Sequence, residues 1–278
     1  MHFQHPDGGF GGGPGQLAHL LPTYASIMTL AMVGSPAAWA QIDRKKCYDF
    51  FMRCKRPDGS FVVCKGGEVD VRGIYCMLVV ATILDILTPE LVRGTEAYVS
   101  ACQTFEGGFA AASLPSFSST SPSSFQQPNV SPASAEAHGG YASCALFSLF
   151  LLRSASATCA ASDSPRAVRN ADPEACLRWA VQMQGESIEA GGFRGRANKL
   201  VDGCYGWWVG GLFAVLEAMI KPDTVHDTKH STEDHEDDEW VDEPSGALYP
   251  MLSHPKLILS AQSLYNRGTF LARHIVGN

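Results

Sequence analysis

The chain has 278 residues, 45% of them apolar and 18% charged, the composition of a globular body long enough to bury a substantial core. Its net charge of −7 is local, because residues 226–243 hold nine acids and one lysine and everything else sums to +1. That balance excludes a general nucleic-acid-binding surface and leaves room for a small basic pocket. Nine cysteines in no spaced framework, with no signal peptide ahead of them, point to a reducing compartment, the cytoplasm, and to mostly buried thiols. The longest apolar runs, such as 141–152, fall short of the roughly 18–20 residues of a membrane span.

In chain order, four segments share a polar residue or lysine, a short spacer, Gly-Gly or Gly-Ser, and Phe. They run from Gln4 to Phe10, Lys55 to Phe61, Gln103 to Phe109, and Ala190 to Phe193, with the phenylalanines 51, 48 and 84 residues apart. The long third interval holds two inserts. Residues 113–135 carry nine Ser and four Pro in 23 positions, too little apolar surface to order themselves. Residues 154–171 are a second low-complexity stretch of Ala, Ser and Asp. The underlying period is near 50 residues.

Each period reads as two helices. Asp43 can cap a helix whose Cys47, Phe50, Phe51 and Cys54 follow the i, i+3, i+4, i+7 rule. Thr88-Pro89 and Asp172-Pro173 place a capping side chain before a proline at the first helical position. The second of these opens a stripe of Cys176, Trp179, Ala180 and Met183. These amphipathic helices alternate with uniformly apolar ones at 71–87, 141–152 and 205–220. Helices apolar all round belong in an inner layer and amphipathic ones outside it. With no run of strands, an all-α toroid of helical hairpins is the expected architecture.

Three clusters lie where the inner helices begin: 66–72, 136–141 and 192–205. Helix starts offer free amides and partial positive charge to anions. Arg196 and Lys199 add two cations, and His138 and Tyr205 two further donors, a set suited to a diphosphate in an apolar cavity. Solvated loop cations are the alternative for the first pair. Asp202 and Cys204 offer zinc a carboxylate and a thiolate, half of a site, although Cys204 alone reads as a buried structural thiol. His226, His230 and His235 sit among the acids of a solvated loop, and His19 and His254 read as packing or surface residues.

The opening GGFGGGPGQ at 8–16, HLLPTYA after it, PDGSF at 57–61, GGEVDVR at 66–72, EAHGGY at 136–141 and GFRGRANKLVDGCY at 192–205 closely resemble the β-subunit family of protein farnesyltransferases. The resemblance runs to about Lys221 and makes the whole of 1–278 a single toroid domain with inserts at 113–135 and 154–171, an acidic loop at 223–245 and a divergent tail at 267–278. It implies that His138, Gly140, Arg196, Lys199 and Tyr205 bind isoprenoid diphosphate, and that Arg72, Tyr141, Cys144 and Trp208 line the tail's pocket, Arg72 also lying near the bound peptide. It implies a zinc ion held in part by Asp202 and Cys204, with Lys199, Tyr205 and both metal ligands serving catalysis. The reaction it implies is transfer of a farnesyl group from farnesyl diphosphate to a cysteine near the C-terminus of CaaX-type proteins, in a heterodimer with a prenyltransferase α subunit.

The departures carry equal weight. The family's third zinc ligand is a histidine in an Asp-Tyr-His-like sequence, which is absent here, as is the nearby acidic motif associated with Mg. His274 in the tail is the only histidine near that place. The chain also begins at a late first repeat, so truncation at both ends and an incomplete toroid are expected. Two further readings stand beside the farnesyl enzyme: a non-catalytic toroid that binds a partner or isoprenoid, and a geranylgeranyltransferase β subunit.

Overall fold

The computed structural model describes residues 4–113, 133, 135–156, 171–186, 188 and 191–220. The regular structure there is helical, with only isolated antiparallel bridges between loops. In chain order the helices are α1 (Leu20–Val33), α2 (Pro36–Trp39), α3 (Arg44–Cys54), α4 (Val71–Ile83), α5 (Pro89–Val92), α6 (Thr95–Ala101), α7 (Gly139–Ser156), α8 (Pro173–Gln182), α9 (Tyr205–Trp208) and α10 (Leu212–Ile220). The Ser/Pro insert from 114 to 132, the second insert from 157 to 170, and everything from 221 onward lie outside the described residues, including His226, His230, His235, His254, His274, the acidic loop and the divergent tail.

The repeat is visible as four closed loops. Gln4 bridges to Phe10, Lys55 to Phe61, Gln103 to Phe109 and Gln184 to Phe193, and all four phenylalanines are buried. The fourth loop therefore opens at Gln184, earlier than the Gly-Gly-Phe match starting at Ala190 suggests. Its bridging partners are nine residues apart where the other three pairs are six apart.

The first residue of each of the first three loops also grips the next outer helix, whereas Gln184 of the fourth donates to Gly191 O within its own loop (3.2 Å). The Gln4 carboxamide accepts from Asp43 N (2.9 Å) and donates to Asp43 O (3.0 Å); Gln103 does the same to Asp172 at 2.7 and 2.8 Å. Lys55 Nζ donates to Leu91 O and Arg93 O at 2.8 Å each. Asp43, Thr88 and Asp172 then cap α3, α5 and α8 as the sequence predicts, by accepting from Lys46 N, Leu91 N and Ala175 N.

The inner layer is equally regular. Leu20 N donates to Val63 O, Val71 N to Ala111 O, and Gly139 N to Gly195 O, each acceptor lying two residues past the next loop's phenylalanine. These bonds line up the starts of α1, α4 and α7 along one rim. α4 packs between α1 and α7, and α7 packs against α9 and α10, while α6 covers α7 and α8 covers α10. α3 buries Cys47, Phe50, Phe51 and Cys54 in the same core. Apolar helices inside and amphipathic ones outside make this an α/α toroid arrangement.

Three helix boundaries differ from the sequence expectation. α4 stops at Ile83 because the chain turns left-handed at Asp85 (φ 55°). α7 is longer than 141–152 at both ends. The helix expected over 205–220 is broken into α9 and α10 around Gly210-Gly211, where two poor helix formers meet.

Candidate functional site

At every inner-helix start, nine residues past the phenylalanine of the first, second and fourth loops, one side chain folds back on the backbone two residues ahead. His19 Nδ1 accepts from Leu21 N (3.1 Å), Asp70 Oδ1 from Arg72 N (2.7 Å), and Asp202 Oδ1 from Cys204 N (2.9 Å). In the third loop, once the Ser/Pro insert is passed, His138 Nδ1 accepts from Gly140 N (3.1 Å). Four such residues, two His and two Asp, thus ring the rim of the inner layer. The sequence reading left His19 and Asp70 without this role; the offset of nine from the repeat phenylalanine is the signal that locates them.

Around this rim the structure brings several of the expected site residues together. Tyr205 Oη lies 3.1 Å from His138 Nε2, with the rings edge to face at 5.7 Å. The Tyr141 ring stands 5.1 Å from His138 on the other side. Arg72 lies over the face of Tyr141 at 5.5 Å, held by Asp70 Oδ2 through Nε (2.8 Å) and Nη2 (2.5 Å). Asp70 is almost wholly buried at 3% exposure, so this pair fixes the guanidinium from behind. Gly195 lies so close beneath the Tyr205 phenol that any side chain there would occupy the ring's place. Ser143 on α7 donates to the Trp208 carbonyl, tying α9 to the same helix.

Arg196 pairs with Glu136, two residues before His138, and its charge is felt by the imidazole. Lys199 is exposed and has no hydrogen bond or ion pair among the described residues, so the structure does not bring it to the others. Cys204 is exposed, which corrects its reading as a buried thiol. Cys144 is buried on α7, and burial raises its thiol pKa far above the ordinary range; Cys76 on α4 is pushed up to about 12 by the same cause.

Behind the rim an aromatic band crosses three neighbouring inner helices. Tyr24 on α1 stands 5.8 Å from Tyr75 on α4, which stands 6.0 Å from Phe147 on α7. Tyr24 and Tyr75 each follow their cap residue by five positions, so the repeat offset marks these two as well. A cavity of about 850 Å³ opens elsewhere, on the first unit, walled by Phe10, Gln16, Thr29, Leu30 and Ile42. None of the expected site residues lines it.

Electrostatics at the rim favour neutral donors beside a cation. Burial, reinforced by Arg196, lowers the His138 pKa below its ordinary value, Glu136 opposing weakly. Burial raises the Tyr205 pKa, so the phenol keeps its proton. The Cys204 backbone N–H holds the Asp202 carboxyl below its usual range, while partial burial and then Asp202 raise the Cys204 thiol. A thiol so placed becomes a thiolate ligand only when a cation compensates the carboxylate beside it. Carboxylate and thiol suit zinc, but among the described residues no group of three His, Cys, Asp or Glu side chains is placed to hold a metal. Among the described residues the donors are two, one carboxylate and one thiol.

Comparison with known proteins fits this geometry. The family described as Prenyltransferase alpha-alpha toroid domain matches residues 1–269. The chain is 39% identical over 216 residues to a protein farnesyltransferase subunit beta of Pisum sativum, covering 78% of this chain and 43% of that protein. It is 44% identical over 217 residues to the corresponding subunit of Saccharomyces cerevisiae, covering 77% and 42%. To a geranylgeranyl transferase type-1 subunit beta of Arabidopsis thaliana it is 30% identical, covering 73% and 48%. The chain thus spans less than half the length of these relatives. Among solved structures, a Candida albicans protein geranylgeranyltransferase-I complexed with GGPP matches with a TM-score of 0.51 at 21% identity, covering 78% of this chain and 56% of that one, a likeness of fold.

Proposed function

The chain belongs to the prenyltransferase α/α-toroid family, and from that premise we propose that it binds an isoprenoid diphosphate at the rim of its inner layer as the β-type half of a protein prenyltransferase. The observation that carries this reading is the meeting of His138 with Tyr205 across 67 residues of sequence, between a cationic loop and an aromatic wall. Tyr205, His138, Arg196 and Lys199 supply donors for the diphosphate, and the backbone amide of Gly140 orients one of them. Arg72, Tyr141, Cys144 and Trp208, with the band of Tyr24, Tyr75 and Phe147, form the dry side where an apolar chain is shielded from water. Cationic and phenolic donors at the leaving diphosphate stabilise the charge that grows there as the allylic carbon is transferred.

The substrate class that fits is farnesyl diphosphate, with a CaaX-type protein cysteine as acceptor and a prenyltransferase α subunit as partner, in the cytoplasm; geranylgeranyl diphosphate is the variant of the same reading. Zinc, one per chain, would take Asp202 and Cys204 as two ligands and a third from outside the described residues. Bound there, zinc supplies a substrate cysteine as thiolate at neutral pH. The half-complete donor set favours a second reading, a toroid that binds isoprenoid diphosphate or a partner without turnover. Binding tests the shared premise: replacing Arg196 or Lys199 by Ala is expected to weaken farnesyl diphosphate binding by about 1.5–3 kcal/mol each. Unchanged affinity in the double substitution would show two ordinary loop cations. Prenyl transfer measured with an α subunit then separates the two readings.

A further inference from the structure

Ser143 is wholly buried on α7, one turn past Gly139, and its hydroxyl has two carbonyls within reach. One is Gly139 O on its own helix at 2.8 Å, and the other is Trp208 O, 65 residues on. A hydroxyl carries one hydrogen, and these carbonyls differ in need. Gly139 O opens the α7 ladder, where the backbone N–H of residue 143 serves it. Trp208 O stands at the break between α9 and α10. The N–H four residues on, that of Leu212, turns to Val209 O at 3.1 Å, while Gly210 N and Gly211 N go to Tyr205 O and Trp207 O. Among the described residues the Ser143 hydroxyl is the donor that meets the Trp208 carbonyl.

The short helix needs such a fastening. α1, α4 and α7 run on from their starts for 14, 13 and 18 residues, whereas α9 has four and no side-chain hydrogen bond at its N-cap. A single turn has little stability of its own. α9 leans on α7 instead: a Cβ on Gly139 would stand 3.0 Å from the Tyr205 ring and 2.7 Å from Val209. Packing on Gly139 and Gly195 seats the Tyr205 end, and the Ser143 hydroxyl fastens the Trp208 end. We propose that Ser143 is a positioning residue for the apolar tail of the ligand, holding Trp208 in the wall against which an isoprenoid chain lies. This rests on the placement of Trp208 on the dry side in the proposed function. Ser143 acts through α9 and leaves the diphosphate end to other contacts.

The test is calorimetric titration of the full chain with inorganic pyrophosphate and, separately, with farnesyl diphosphate. The variants are S143A and S148A, each titrated well below its thermal unfolding transition, so that the ratio of the two affinities reports the site. Ser148 is the control because it is equally buried on α7, and its hydroxyl donates one turn back to Cys144 O (2.6 Å), a bond that stays within the helix. S143A is expected to weaken farnesyl diphosphate binding about tenfold, the size of one hydrogen bond, with pyrophosphate affinity held within about twofold. S148A is expected to bind both compounds as wild type. Equal losses for the two compounds in S143A would show Ser143 holding the whole rim, and wild-type affinity for farnesyl diphosphate would show α9 held by packing alone. Either result overturns the proposal. So would the same selective loss in S148A, which would place the effect in α7 rather than in the bond that crosses to α9. A wild-type chain that binds neither compound removes the proposed function and this inference with it, whereas binding of both with unselective losses removes the Ser143 role alone.

Discussion

The second and fourth loops share one template and end in opposite chemistry. Each has a buried phenylalanine, a bridge from the following residue to a valine seven positions on (Val62 to Val69, Arg194 to Val201), and then an aspartate that accepts from the N–H two residues ahead. In the second loop that residue is Arg72, whose guanidinium neutralises a buried Asp70. In the fourth it is Cys204, and Asp202 stands exposed with a neutral thiol for company. The repeat thus builds the same turned-in carboxylate twice. It fills one copy with the chain's own cation and leaves the other without an ion pair among the described residues.

That contrast is broken most forcefully by replacing the two aspartates. Asp70→Ala removes the α4 cap and strands Arg72, and is expected to cost about 2–4 kcal/mol. Asp202→Ala is expected to leave the urea midpoint near wild type. Equal losses would mean that Asp202 is a cap like Asp70 and nothing more. Metal binding sharpens the contrast from the other side. With two donors described, zinc is expected to be lost on dialysis while farnesyl diphosphate still binds. Cys204→Arg, which rebuilds the second loop's pair in the fourth, is expected to abolish even weak zinc uptake without harming the fold. Stoichiometric zinc that survives dialysis, and is abolished by His274→Ala, would show that the tail completes the site and would restore the catalytic reading.

Much of this was legible in the sequence. Asp43, Thr88 and Asp172 announced their helices because cap chemistry is local, and the apolar and amphipathic helices sorted into layers because their faces are written in period. The repeat phenylalanines carried the period to within three residues in the first three units, their intervals being 51 and 48. The fourth unit misled because its loop is longer, and only the bridge from Gln184 reveals the true start. Asp70 escaped notice because nothing in a sequence says whether a carboxylate beside an arginine is buried. Lys199 and Cys204 point the other way: their types promise a site, and the chain here leaves both on the surface.

A smaller effect should follow from having His caps in two units and Asp caps in two. Burial lowers the pKa of His19 and of His138 from the ordinary 6.5, so the folded state resists protons that the unfolded chain accepts. Stability from these groups is present above that pH and is lost as the pH falls through the folded values, because a protonated Nδ1 can no longer accept from Leu21 N or Gly140 N. Urea midpoints are expected to decline below about pH 6.5. The decline should flatten in a His19→Asn, His138→Asn variant, whose caps do not titrate. A wild-type profile flat from neutrality down to the carboxylate range would contradict the cap assignment.

The smallest effect concerns Glu136. It pairs with Arg196 across the rim, and both side chains are substantially exposed, at 52% and 38%. Such a pair contributes at most about 1 kcal/mol to folding, so Glu136→Gln is expected to leave the unfolding midpoint unmoved. Ligand binding has a different sign. A carboxylate two residues from His138 competes with any anion for the Arg196 guanidinium and repels it as well. Glu136→Gln is therefore expected to tighten pyrophosphate binding by no more than about fivefold, the same order as the ion pair it removes. The gain should shrink as salt is raised, since both contributions are screened. It should shrink further in an Arg196→Ala background, where repulsion survives and competition does not. Weaker binding in Glu136→Gln would instead make Glu136 the residue that aims Arg196 at the ligand.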